Sequence, residues 1–380
     1  MTTVALANAR VLTDEGFRDD VAVLVENGRI AGLVPPEHAD ADQGLDLDGG
    51  FLLPGFIDVQ VNGGGGVLFN NDPTPEGIAA IGRAHIRFGT TAFLPTLISD
   101  EAEVMERAVR AARQAIAMGV PGVLGIHLEG PYLAPARKGT HDAGKFRVPD
   151  EAEVAMATAL DNGITLVTLA PERVPLDTIR SLVRRGAIVC AGHTNGSYEE
   201  IRAGLDAGVR GFTHLYNAMS PLQGREPGAV GAALEDRDSW CGIIVDGVHV
   251  HPASLRAALA AKPRGKLFLV TDAMPMVGAD SPSFQLYGQT ITAVDGVVRN
   301  AEGALAGSAL DMATAVRNCV HLLGLPLAEA ARMASTYPAQ FLGVDDRMGR
   351  IAPGLRADLV LLDDALTVRR TWIGGVPVVA

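Results

Sequence analysis

Four histidines and three acids draw attention in this chain because each closes a short apolar run: His127, His193, His214 and His249, with Glu129, Asp246 and Asp272. Imidazole nitrogen and carboxylate oxygen are the ligands preferred by zinc and its neighbours, and three protein ligands leave a coordination position open for catalysis. Glu129, His193 and His214 form such a set. A divalent metal there would acidify water and polarise a carbonyl oxygen. Asp272 would take a proton from that water and return it to a leaving nitrogen, and His249 would steady an oxygen gaining negative charge. Side chains alternate along a strand, so His127 points the same way as Glu129 and reads equally as support for the ligands or as packing. Asp58, Gln60 and Asn62 close the first run, where they either satisfy backbone groups or shape the site.

These residues end six of eight β-branched runs, near 52–62, 90–98, 123–130, 164–172, 187–195, 211–219, 240–250 and 266–274, separated by stretches of helical period. Repeated βα units predict a parallel sheet, and eight of them a closed (β/α)8 barrel of the TIM type with its site at the carboxyl ends of the strands. The stretch 101–118 predicts a helix, with an apolar stripe of Val104, Ala108, Ala111, Ala112, Ala115 and Ile116 and with Asp100 as its cap. The start of the chain has another texture, with short strands and a hairpin signal at Glu26-Asn27-Gly28. That texture returns after Pro353-Gly354, with strands near 359–362 and 368–379. The pattern predicts a small β-sandwich domain from residues 1–52 and 345–380, with the barrel, 53–344, inserted between its halves.

A chain of 380 residues accommodates both units, and 48% apolar with 20% charged residues is the balance of a globular protein. A net charge of -12 leaves no long basic stripe, so neither nucleic acid nor an anionic membrane is an expected partner. An anionic ligand would need a local cation. Arg225, in Gly224-Arg225-Glu226-Pro227-Gly228, can hold a phosphate through paired hydrogen bonds or can be a surface arginine paired with Glu226. The glycines at 63–66 favour a sharp turn or a close approach and alone are weak grounds for a phosphate site. Cys190, Cys241 and Cys319 are odd in number and lie in apolar surroundings, which predicts free thiols in a reducing compartment. With no leader-like start and no apolar run of membrane-spanning length, the cytoplasm is the expected location. His251 and His321 read as structural.

Several ordered motifs together resemble the N-acetylglucosamine-6-phosphate deacetylases of the amidohydrolase superfamily. They are Pro54-Gly55-Phe56-Ile57-Asp58-Val59-Gln60, His127-Leu128-Glu129-Gly130-Pro131, Lys138-Gly139-Thr140-His141, Ala191-Gly192-His193-Thr194-Asn195 and Thr213-His214-Leu215-Tyr216-Asn217-Ala218-Met219. The 224–228 loop, Asp246-Gly247-Val248-His249, Val270-Thr271-Asp272-Ala273 and Leu305-Ala306-Gly307-Ser308 extend the match over most of the chain. The resemblance implies removal of acetate from N-acetyl-D-glucosamine 6-phosphate to give D-glucosamine 6-phosphate, in amino sugar catabolism and cell-wall sugar recycling. A deacetylase for the galacto epimer is the nearest alternative, and a non-catalytic scaffold of the same fold a more distant one.

The same metal ligands are implied, with Asp272 as acid and base and His249 polarising the acetamide carbonyl. Thr140, His141, Asn217, Ala218, Arg225, Asp246, His249, Leu305, Ala306 and Gly307 are the implied contacts to the sugar phosphate. A homodimer is implied too, with Arg225 entering the neighbouring subunit's site. Many amidohydrolases carry a His-x-His pair at the end of the first strand for a second metal, whereas this chain has Gln60 and Asn62. Amides are poor zinc ligands, so one divalent ion per subunit is expected: zinc first, with Fe2+, Mn2+ and Co2+ sharing its preferences. Hydrolysis needs no organic cofactor.

Overall fold

The computed structural model describes residues 2–378. Met1, Val379 and Ala380, which belong to the small domain expected from the sequence and include the end of the 368–379 strand, lie outside the described residues.

Eight parallel strands pair in sequence order: Phe56–Val61, Thr90–Ile98, Gly125–Glu129, Ile164–Leu169, Ile188–Ala191, Gly211–Phe212, Trp240–Ile243 and Leu267–Leu269. The first two are buried at every position, as strands of a barrel must be when helices cover one face and packed side chains the other. Thr90–Ile98 spans its expected run, and each of the other strands lies within its run but is shorter, because the apolar sequence continues past the last ladder bond into the loops that carry the polar residues.

The ring closes between the ends of its first and last strands through a side chain and a short backbone bridge from Val61 to Ala273. Asp58 accepts hydrogen bonds from the backbone N–H groups of Gln60 (3.1 Å) and Thr271 (3.3 Å) and from the Thr271 hydroxyl. Just above it, Asp272 N–H donates to Gln60 O and Asn62 N–H to Ala273 O, each at 3.0 Å. Burial pushes the Asp58 carboxyl up to about 7 against the pull of those donors. A carboxyl raised above its unfolded value adds stability that is complete below the unfolded pKa and is lost as pH rises through about 7. Asp58→Asn, which removes the ionisation, is therefore expected to gain on the wild type as pH rises from 5 to 8 in about that order. Urea unfolding at both ends of the range measures this, and a pH-independent difference between the two proteins would contradict it.

The helix expected over 101–118 spans Ala102–Ala117 and buries Met105, Ala108, Val109, Ala111, Ala112 and Ala115. Asp100 does not cap it: Glu101 holds the cap position without a side-chain bond, and the Asp100 carboxylate accepts from Glu101 N–H and Asn70 Nδ2 instead. Val104 and Ile116 sit at the half-buried margins of the stripe.

Segments from both ends of the chain build two more sheets. One orders Arg29–Val34, Ala22–Glu26, Thr3–Ala7 and Gln43–Asp46; the other orders Val376–Val378, Val368–Ile373, Leu359–Leu362, Phe51–Pro54, Arg10–Thr13 and Gly16–Arg18. They enclose a core of their own that includes Leu6, Val23, Ile30, Leu52, Leu359 and Trp372. The first apolar run thus divides at Gly55, leaving Phe51–Pro54 in the small sheet and Phe56–Val61 in the barrel. A Cβ on Gly55 would fall 2.2 Å from Thr91 Oγ1, so the chain can pass there only without one.

A third sheet has no counterpart in the sequence expectations. Ser283–Leu286, Gln289–Val294 and Val297–Arg299 form an antiparallel meander packed on Leu68, Ile98 and Met274. It returns the chain to the barrel through bridges from Arg299 to Leu305 and from Ala273 to Ser308. That path carries residues 304–307 to the mouth of the site.

Candidate active site

Three side chains from three strand ends converge at the carboxyl end of the barrel. Glu129 Oε1 lies 3.2 Å from His193 Nε2 and 2.9 Å from His214 Nε2, and the two ring nitrogens are 3.2 Å apart. All three residues are buried and form a group able to hold a metal ion. His193 and His214 reach this point with left-handed backbone, φ 47° and 35°, and Asp272 with φ 53°. Non-glycine residues held there cost roughly 1–3 kcal/mol each and cluster at functional sites, where surrounding packing enforces them.

The donor set suits a divalent cation. His193 Nδ1 lies 2.8 Å from the Arg137 carbonyl, which can only accept, so Nδ1 carries the proton and Nε2 turns its lone pair to the cluster. Burial raises the Glu129 carboxyl, but the His193 and His214 partners outweigh it and hold it below the usual carboxylate range. The same carboxylate overcomes the burial penalty on His214 and raises its imidazole. The cluster is thus a buried negative charge balanced by a proton, and a divalent ion would take that proton's place.

Asp272 stands beside this group. Its Oδ1 accepts from Asn62 Nδ2 at 2.6 Å and Gln60 Nε2 at 3.3 Å, and Gln60 also donates to Glu129 Oε2 at 3.0 Å. Burial first, and the Glu129 charge second, push the Asp272 carboxyl up, with His214, His249 and Asn62 opposing. Gln60 and Asn62 therefore direct amide N–H groups at two carboxylates.

Two further imidazoles, His141 and His249, line the same cavity. His141 Nδ1 faces the Ser99 N–H at 3.3 Å and the Ser99 hydroxyl at 2.8 Å, so it accepts and leaves Nε2 as the protonated nitrogen. Burial holds this ring neutral, its pKa far below normal. His249 Nδ1 is 2.6 Å from Asp246 Oδ2.

A cavity of about 330 Å3 opens over these groups, lined by Glu129, His193, His214, His249, Asp272, Asn62, Thr140, His141, Asn217, Ala218, Leu305 and Gly307 among others. Gly307 has φ +68°, and a Cβ there would fall 2.7 Å from Met274. Arg137 and Met274 also line the cavity and were not expected; the neighbouring Lys138-Gly139-Thr140-His141 motif was the only signal near Arg137.

Other expected residues stand back. Ala306 is buried behind its neighbours, and Asp246 lies behind His249. His127 contacts the Val59 carbonyl and Thr168 Oγ1 (2.7 Å) within the barrel core, and burial lowers its pKa to about 4. Arg225 is exposed in its loop, away from the cavity. Glu226 instead accepts at Oε1 from the N–H groups of Tyr198 and Gly228, both at 3.0 Å. The 63–66 glycines fold against the segment that follows the last strand: the N–H groups of Gly63, Gly65 and Gly66 donate to the carbonyls of Ala273, Val277 and Pro275. His251 accepts from Ala253 N–H at a helix start, and all three cysteines are free and buried.

The model of the amidohydrolase family matches residues 51–378. An N-acetylgalactosamine-6-phosphate deacetylase of Shewanella is 45% identical over 370 residues, covering 97% of this chain and 94% of that protein. An N-acetylglucosamine-6-phosphate deacetylase of Haemophilus influenzae is 38% identical over 381 residues, 98% of each chain. The crystal structure of the N-acetylglucosamine-6-phosphate deacetylase from Pasteurella multocida superposes with a TM-score of 0.96 at 36% identity over all of both chains.

Proposed function

Since the chain belongs to the amidohydrolase family, we propose that it is a metal-dependent deacetylase that hydrolyses the acetamide of N-acetyl-D-glucosamine 6-phosphate. The observation that carries this reading is the buried Glu129, His193 and His214 group with Asp272 beside it, in a cavity large enough for a sugar. Glu129, His193 and His214 would hold one divalent ion, which supplies Lewis acidity toward water and the amide carbonyl. Zinc heads the candidates, and iron, manganese and cobalt fit the same ligands. Gln60 and Asn62 support a single ion, because amides are poor zinc ligands and the NH2 groups of these two are directed at the Glu129 and Asp272 carboxylates.

Asp272 takes a proton from the attacking water and delivers it to the sugar nitrogen as the C–N bond breaks, releasing acetate and the amine. Its raised carboxyl suits both halves of that transfer. His249 stabilises the oxygen that gains charge as the carbonyl carbon becomes tetrahedral. Thr140, His141, Asn217, Ala218, Leu305 and Gly307 line the cavity and would hold the sugar and its phosphate.

Arg225 supplies the remaining cation in a homodimer, from a loop that turns away from its own cavity. Arg225→Ala is expected to raise KM for the 6-phosphate on the order of tenfold, as loss of a charge-assisted hydrogen bond would, with little effect on the unphosphorylated sugar. Equal losses on both would remove the arginine from phosphate binding. The galacto epimer is the second reading, favoured by the 45% identity to the Shewanella protein. Comparing kcat/KM for the two epimers decides between them. We place the reaction in the cytoplasm, where three buried thiols stay reduced; among the described residues no helix is long and apolar enough to cross a membrane.

A further inference from the structure

We infer that Asp246 is a positioning residue that acts through His249, directing the ring's Nε2 into the cavity and balancing the charge of the ring when that nitrogen carries a proton. Both oxygens of the Asp246 carboxylate are engaged. Oδ1 accepts from the backbone N–H groups of Val248 at 2.8 Å and His249 at 2.9 Å, and Oδ2 lies 2.6 Å from His249 Nδ1. The turn that makes this possible passes through Gly247 with φ +76° and is held from behind by Asn318 Nδ2, which donates to the Val245 carbonyl at 2.8 Å. His249 lines the cavity and Asp246 does not, so the carboxylate reaches the substrate only by way of the ring.

The consequence is chemical. An ionised carboxylate only accepts, so the ring nitrogen facing it carries a proton, and in a neutral ring Nε2 is then a lone pair. Such a ring cannot donate to a carbonyl oxygen. A second proton on Nε2 makes it a charged donor, with Asp246 as counter-ion on the far side. The charged and titratable groups sharing the cavity with His249 are Asp272, Glu129, His193, His214, His141 and Arg137. This inference rests on the deacetylase reading, which assigns the acceptor as the acetamide oxygen.

Asp246→Asn is the discriminating change. Its single oxygen can still accept from the two backbone N–H groups while its NH2 donates to Nδ1, which moves the proton of a neutral ring to Nε2. In the metal-loaded enzyme kcat should fall about 10- to 100-fold as a charged donor becomes a neutral one, with KM changed by less than about threefold. Added to His249→Gln, the same substitution should cost nothing further, whereas losses that multiply would mean that Asp246 acts independently of the ring. Nitrogen-15 spectra of the zinc-loaded wild type, with His249 assigned by its loss in His249→Gln, give a readout that survives any misfolding of the Asp246 variant. Nδ1 bonded to hydrogen is expected, and Nδ1 without a proton would overturn the pairing. A wild type that releases no acetate from any amino sugar phosphate would instead overturn the deacetylase reading and the carbonyl role with it.

Discussion

Asp272→Asn is expected to lower kcat by about 10²- to 10⁴-fold, the range for removing a general acid and base, while leaving metal content and KM nearly unchanged. The substitution keeps the size of the side chain and one oxygen to accept from Asn62 and Gln60, so the hydrogen bonds that orient it can persist. What it loses is a group that accepts a proton and gives it back. In the metal-free site the carboxyl is raised by burial and by the nearby Glu129 charge, which favours its holding a proton. Steady-state acetate release, with metal counted in the same samples, checks both parts. Turnover within about tenfold of the wild type would take Asp272 out of proton transfer.

The second large effect is on the metal. Glu129→Gln should weaken affinity for the divalent ion by more than about 100-fold, since even outer contacts to metal ligands are worth about 10–100-fold. Oε1 of Glu129 is, among the described residues, the anionic atom in contact with both ring nitrogens, and an amide there brings no charge. An NH2 group at the place of Oε2 would also meet the Gln60 Nε2 donor, leaving donors facing one another. Titration of the metal-stripped variant with zinc measures the loss. Retention of one tightly bound ion per chain would show that the ligands lie elsewhere.

The barrel was legible because its strands are apolar on both faces and its helices are not, so the period of the sequence changes at each boundary. Glu129, His193, His214 and Asp272 were legible as a group because several imidazoles and carboxylates close strands at the same end of one barrel. The small sandwich announced itself at Asn27 and Gly28, whose φ values of 51° and 75° belong to the tight hairpin that an Asn-Gly pair favours.

The three-stranded insertion was hidden despite a similar pair, Asp295 and Gly296, with φ 51° and 76°. Its central strand, Gln289–Val294, buries only Ile291 well and presents Gln289, Thr290, Thr292 and Val294 to solvent, so its alternation is too weak to stand out from a loop. Arg137 was hidden for another reason. It lies on a short 3-10 turn, and its part in the site comes from a backbone carbonyl to His193 that no residue type announces. Asp246 was visible as a strand-end acid, but a bond to a ring three residues on depends on a turn around Gly247 that spacing alone does not reveal.

The central claim is tested most directly by acetate release from N-acetyl-D-glucosamine 6-phosphate, measured beside the galacto epimer and the unphosphorylated sugar, with and without a chelator. The account predicts turnover of the 6-phosphate that stops on metal removal and returns when a divalent ion is restored, with the unphosphorylated sugar a poor substrate. No acetate from any of the three, in protein shown to contain its metal, would contradict it.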